Sequence, residues 1–122
     1  MKFAAILAFG LAFAAPAIAA PDDDGFAAFW KTFAAAVAKD DAAALERLTV
    51  MGPGLDAQDQ TFAGFRAHVL DRKARKCLAA AKPKGQVNGL GQMEYAAFCG
   101  QIIFGFSRTA GGWKLTDISP DD

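Results

Sequence analysis

Few residues of this chain can do chemistry. Its 122 residues contain two cysteines, one histidine and one tyrosine. The cysteines, Cys77 and Cys99, can form a disulfide. Two thiols and one histidine are too few soft ligands for a closed zinc site, and the spacing is not the C-x-x-C of a redox pair. His68 cannot complete a nucleophilic triad, because the chain has no Gly-x-Ser-x-Gly elbow to present a serine to it; a lone helix histidine reads as part of a solvated edge. Tyr95 and Asp117 remain as proton-handling groups. Asp117 shares strand parity with Trp113 and Leu115 and so is expected to face the interior near a cavity mouth, or else to be an exposed acid at a fraying strand end. Tyr95 has the opposite parity to Phe98, Ile102, Phe104 and Phe106, which points it away from the apolar face. No phosphate loop, nucleotide fingerprint or metal-ligand cluster is visible, so no cofactor, no metal and no catalytic residue is assigned.

Composition narrows the remaining classes. Thirteen Lys and Arg balance thirteen Asp and Glu, and a nucleic-acid binder would need a basic surplus. With 53% hydrophobic residues, the chain is too apolar and too little charged to be disordered. The segment Arg66–Lys84 carries seven basic residues and one acid, Asp71. It reads either as a contact for an acidic partner or as a solvated helix end favoured by the helix dipole.

The compartment is read from the first residues. Lys2 precedes the uncharged run Phe3–Ala15, followed by Pro16 and the small-x-small sequence Ala17-Ile18-Ala19. This is the pattern of a secretory signal peptide, too short to span a bilayer comfortably. Residues 1–19 are expected to be cut off after Ala19, leaving a single domain over 20–122. The mature chain then has 12 Lys and Arg against 13 Asp and Glu, a formal charge of −1, with no further run for stable membrane insertion. A periplasmic or secreted location is oxidising, so Cys77 and Cys99 are expected to be bridged.

The elements that must position these residues follow from periodicity. Asp22-Asp23-Asp24-Gly25 supplies acids for a helix start, and Phe26, Phe29, Trp30, Phe33 and Val37 then make one apolar helical stripe. Asp40-Asp41 is a break and a new cap before a short helix carrying Ala44, Leu45 and Leu48. Thr49-Val50-Met51 reads as a brief strand and Gly52-Pro53-Gly54 as a turn, with a polar loop over 55–60. A third helix buries Phe62, Phe65, Val69 and Leu70 and ends in the basic residues. Cys77–Ala81 is compatible with a strand, and Lys82–Gly85 begins a glycine-rich loop. Residues 93–109 alternate as a strand with Phe98, Ile102, Phe104 and Phe106 inward, bending at Gly100 and Gly105. Thr109–Gly112 is a hairpin turn, and Trp113 and Leu115 point inward after it. Helices first and an antiparallel curved sheet after them make an α+β fold.

This order, with Phe29-Trp30-x-x-Phe33 early and Gly111-Gly112-Trp113-Lys114-Leu115 closing, resembles the nuclear transport factor 2-like superfamily. The likeness covers most of residues 24–119. It extends, towards small exported members of unknown function, to Arg75-Lys76-Cys77-Leu78, Phe98-Cys99-Gly100 and Ile103-Phe104. The resemblance implies a cone-shaped roll, a cavity between helices and sheet, and often a homodimer through the sheet. It does not imply one reaction. Isomerase-type members use a tyrosine and carboxylic acids in an apolar cavity, where one acid stays neutral and another moves the proton. Neither Tyr95 nor Asp117 matches such a motif.

The expected function is therefore non-catalytic binding of a small apolar ligand or an envelope protein partner, with Trp30, Phe104, Phe106, Trp113 and Asp117 as candidate ligand contacts. Two alternatives stand beside it. One is an isomerase- or cyclase-type enzyme using Asp117 in its cavity, with Tyr95 as a second candidate group. The other is an interaction module that dimerises through its sheet, which a filled interior and an exposed sheet face would favour.

Overall fold

The computed structural model describes residues 24–55 and 61–121. The expected leader and its cleavage site lie outside the described residues, as does most of the polar loop. Helix α1, Phe26–Lys39, buries Phe26, Phe33, Ala36 and Val37, the stripe set by the 3.6-residue period. Gly25 precedes it with φ 84° and has no side chain to cap the helix. Asp24 serves instead, its Oδ1 accepting from the Phe26 N–H at 3.0 Å. The helix ends at Asp40, a left-handed residue with φ 53°. Asp41 then caps α2, Ala42–Arg47, by accepting from the Ala44 N–H.

The basic third helix is two helices. Thr61 caps α3, Phe62–His68, and Asp71 caps α4, Arg72–Ala80, through the Ala74 N–H at 2.9 Å. The side-chain cap at Asp71 restarts the helix where the apolar stripe runs continuously through Val69 and Leu70. Cys77 to Ala80 are therefore helical, not a strand. Two of the basic residues are committed internally: Arg66 grips Asp40 at 3.0 and 2.7 Å, and Arg75 Nε lies 3.6 Å from the same carboxylate. Arg72, Lys73 and Lys76 stay exposed on α4.

The sheet is an antiparallel meander of β1 (Lys84–Val87), β2 (Met93–Cys99), β3 (Ile102–Thr109) and β4 (Gly112–Pro120). β1 occupies the start of the expected glycine-rich loop. All four of its residues are exposed, so no burial alternation marks it in the sequence. The expected single strand over 93–109 is a hairpin, reversed at Gly100-Gln101 with Gly100 at φ 64°. The turn changes parity. Tyr95, Ala97 and Cys99 pair with Phe106, Phe104 and Ile102 on the helix-facing side, while Phe98 pairs with Ile103 on the other. Phe98 is thus half exposed, at 50%, and not inward.

The brief strand at Thr49–Met51 contracts to a bridge. Thr49 pairs parallel with Leu115, Val50 N–H donates to Leu115 O, and Leu115 N–H donates to Leu48 O. This segment covers the outer edge of β4; among the described residues no strand pairs with the outer edge of β1. Cys77 on α4 and Cys99 at the end of β2 are bridged, with Cα atoms 5.8 Å apart. The bridge ties the helical layer to the sheet and is consistent with an oxidising extracellular compartment.

The core lies between the layers. Phe33, Leu45, Phe65, Leu70, Leu78, Phe104, Phe106 and Leu115 have no exposed surface. The fold is α+β, helices followed by a curved four-stranded sheet, as the element order predicts. Among the described residues no helix is long and apolar enough to cross a membrane.

Candidate functional site

Four of the five candidate contacts, Trp30, Phe104, Phe106 and Trp113, belong to the packed core or lie against it. Phe106, on β3, takes the rings of α1 edge-on: its centroid lies 5.4 Å from Trp30 and 5.1 Å from Phe33. Trp113 meets Phe26 edge-on at 5.2 Å and donates from Nε1 to the Asp24 carbonyl at 2.8 Å. Phe104 is fully buried in the same core. These rings fill the space between α1 and the sheet that an internal ligand would need.

Asp117 is on the other side of the sheet. Gly105 pairs with Asp117 but the next residue, Phe106, pairs with Leu115, so Thr116 is an extra residue in β4. A β-bulge of this kind breaks strict alternation. Leu115 and Asp117 share sequence parity yet point to opposite faces, and the expectation that Asp117 faces the interior is corrected. Thr116 takes up the bulge by hydrogen-bonding its hydroxyl to Ser107 at 2.9 Å. The Gly52–Gly54 turn lies so close that a Cβ on Gly54 would sit 2.4 Å from the Thr116 carbonyl oxygen and 2.9 Å from Asp117 Oδ1.

Tyr95 is reversed as well. Its ring lies on the helix-facing side, stacked on Phe26 at 3.7 Å with the planes 5° apart, and its hydroxyl donates to Asp24 Oδ2 at 2.8 Å. Gly85 makes room for that ring: a Cβ there would come within 2.8 Å of it. Tyr95 and Asp117 therefore occupy opposite faces, and the structure does not bring together the pair that cavity acid–base chemistry would require. His68 is exposed at the end of α3, lining with Ile102, Ile118 and Asp117 a groove of about 550 Å³ at the end of the sheet.

Asp24 is the polar centre of the helix-facing side. Its carboxylate accepts from Phe26 N–H and Tyr95 OH, and its carbonyl accepts from Trp113 and from Arg108, whose guanidinium lies over the Trp113 ring. Burial opposes its charge, but these hydrogen bonds and the Arg108 charge outweigh that and hold its pKa below the usual carboxylate value. A depressed folded-state pKa means stability that is present above the unfolded-state value, about 4, and is lost as pH falls through the folded-state value. Asp24→Asn is expected to remove that part of the acid sensitivity and to cost about 1 kcal/mol at neutral pH, because the hydrogen bonds from Phe26 N–H and Tyr95 OH lose their charged acceptor. Urea melts from pH 7 to 3 check this; an unchanged acid profile would contradict it.

The uncovered face of the sheet carries the other candidate surface. Cross-strand pairing sets Lys84, Ala96, Gly105 and Asp117 in one row, and Phe98, Ile103 and Ser119 in the row beside it. Glu94 lies one step along β2 in the opposite direction. A groove of about 400 Å³ runs over these residues. Partial burial, and then the like charge of Glu94, push the Asp117 pKa above its usual value. The opening is shallow because Ala96 and Gly105 form its floor. Such a surface can take an ion pair and an apolar side chain. No group of three or more His, Cys, Asp or Glu able to hold a metal occurs among the described residues.

Sequence reasoning offered an exposed sheet face as an alternative but not the residues that form it, and it missed the Asp24 network. Asp24 contacts residues 71 to 89 positions away, beyond the reach of any local pattern. The open face is poorly marked in the sequence, because its central positions Ala96, Phe98, Ile103 and Gly105 are no more polar than the buried positions between them. Set against known proteins, the chain matches no protein-family model, no curated protein and no solved structure.

Proposed function

We propose that the protein is an exported, non-catalytic interaction domain that pairs with a second copy of itself through the open face of its sheet. One observation carries this reading: the face is self-complementary. A two-fold axis parallel to the strands, between β2 and β3, sets β1 of one copy over β4 of the other. The row Lys84–Ala96–Gly105–Asp117 then meets itself reversed. Lys84 lies over the partner copy's Asp117, the two small residues face each other, and Phe98 packs on the partner copy's Ile103. Aligned sheets pack in this way about 10 Å apart. A lysine brought over Asp117 opposes the partial burial and the Glu94 repulsion that together raise its pKa. The packed interior favours this reading over an internal apolar ligand.

Sedimentation velocity tests it. The whole protein is expected to dimerise, and Phe98→Asp to make it a monomer without unfolding it, since the side chain is half exposed. Asp117→Lys sets two lysines together and is expected to weaken the dimer about tenfold or more. Adding Lys84→Asp to Asp117→Lys restores the pair with its charges exchanged and is expected to recover the dimer. A monomer throughout the micromolar range, or a dimer indifferent to these changes, sinks the proposal.

A further inference from the structure

The outer face of α4 gathers cations that no described acid neutralises. Arg72, Lys73 and Lys76 are exposed and make no ion pair among the described residues, whereas Arg66 and Arg75 are tied to Asp40. Arg72 and Lys76 stand at i and i+4, and Lys73 and Lys76 at i and i+3. These spacings bring helical side chains together, so like charges there repel. From Arg72 to Met93 the chain carries six basic residues and no acid, although its formal charge is zero. The reading of this segment as a solvated helix end favoured by the dipole is corrected, because α4 begins at Arg72 and its last turn holds no basic residue. Arg72 and Lys73 stand in the first turn, where the positive end of the helix dipole disfavours them. Both arrangements cost stability in the protein alone, and an anion placed on this face relieves both.

A groove of about 500 Å³ runs beside these cations, between α4 and the β2–β3 turn. Lys73 lines it, and its walls include Val69, Ala74, Ile102 and the Cys77–Cys99 bridge. Asp71, the one acid along it, is engaged as the cap of α4, accepting from Ala74 N–H at 2.9 Å. Such a groove takes an apolar side chain while the adjoining cations take charge, and this narrows the occupant. Nucleic acid would call for an overall basic surplus, which the chain lacks. An anionic bilayer is held by clusters of about four to eight cations, or by inserted apolar side chains. The outer face of α4 offers Arg72, Lys73 and Lys76 and exposes no large apolar side chain. A few carboxylates beside an apolar residue, as in an acidic peptide, match both the charge and the groove.

We infer that this groove and the cations beside it dock an extended acidic peptide segment of a partner protein. Arg72, Lys73 and Lys76 pair with its carboxylates, and Val69 and Ile102 receive an apolar side chain. The site uses neither Lys84 nor Asp117, so it does not depend on pairing through the sheet face.

Fluorescence anisotropy tests it, with the purified protein and a fluorescein-labelled peptide of glutamates around one central leucine. The peptide is expected to bind, and Arg72→Glu combined with Lys73→Glu to weaken binding roughly tenfold or more. The same double change should raise the thermal midpoint, because it puts acids in the first turn of α4 and sets position 72 opposite in charge to Lys76. Loss of binding is thereby separated from loss of folding. Exchanging the leucine of the peptide for serine is expected to weaken binding about fivefold. Absence of peptide binding, equal binding by the double variant, a lowered midpoint or a leucine that makes no difference overturns the inference. Tighter binding to phosphatidylglycerol vesicles or to duplex DNA than to the peptide overturns it as well.

Discussion

Phe106→Ala is expected to destabilise the protein by about 3–5 kcal/mol, the range for deleting a buried aromatic ring. The side chain has no exposed surface, and rings of Phe26, Phe29, Trp30 and Phe33 lie within 6.0 Å of its centroid. Those four belong to one helix, so the ring is the main surface against which α1 sets its stripe. Removing it leaves a hole that α1 can close only by tilting, which would strain its ties to Tyr95 and Trp113. A domain of this size has about 5–15 kcal/mol of stability in all. Urea denaturation followed by tryptophan fluorescence measures the loss directly. A cost below about 1 kcal/mol would mean that the interior collapses freely around the hole, contrary to close packing.

Cys77→Ala combined with Cys99→Ala is expected to cost about 3 kcal/mol. The cysteines are 22 residues apart in sequence, and opening a loop of that length restores chain entropy to the unfolded state. The loop contains the end of α4, all of β1 and nearly all of β2. Released from the bridge, the short exposed strand β1 keeps only its pairing with β2. The midpoint of chemical denaturation should fall on reduction of the unaltered protein and stay fixed on reduction of the double variant. A mass two hydrogens below that of the dithiol confirms the bridge in the purified protein. An unaltered midpoint on full reduction would show that the bridge contributes little.

The two changes probe different supports. Phe106 acts within the folded state, by filling volume between α1 and β3. The bridge acts chiefly on the unfolded chain. The sites are joined through β2 and β3, so a triple variant tests whether the losses add, as they should for sites without shared neighbours.

Much of the fold is legible because its causes are local. A stripe at Phe26, Phe29, Trp30, Phe33 and Val37 makes a helix whatever follows it, and Asp41 caps the next by its own side chain. Alternation at Ile102, Phe104 and Phe106 makes a strand with a buried side, and helices before strands make the fold class. The pairing of two cysteines follows from their number. What was not legible is which face a residue occupies once the chain has turned or bulged. The side-chain period of a strand is two, so one added residue exchanges the faces. The turn at Gly100-Gln101 put Phe98 outside and Tyr95 inside, and the single extra residue Thr116 carried Asp117 from the interior to the open face. Both reversals depend on register between strands, which is fixed by hydrogen bonds to partners distant in sequence. The sequence by itself determined the elements and their apolar stripes; tertiary structure alone decided that the aromatic residues fill the interior and that Asp117 looks out from the other side, because register is a property of paired strands and not of either strand.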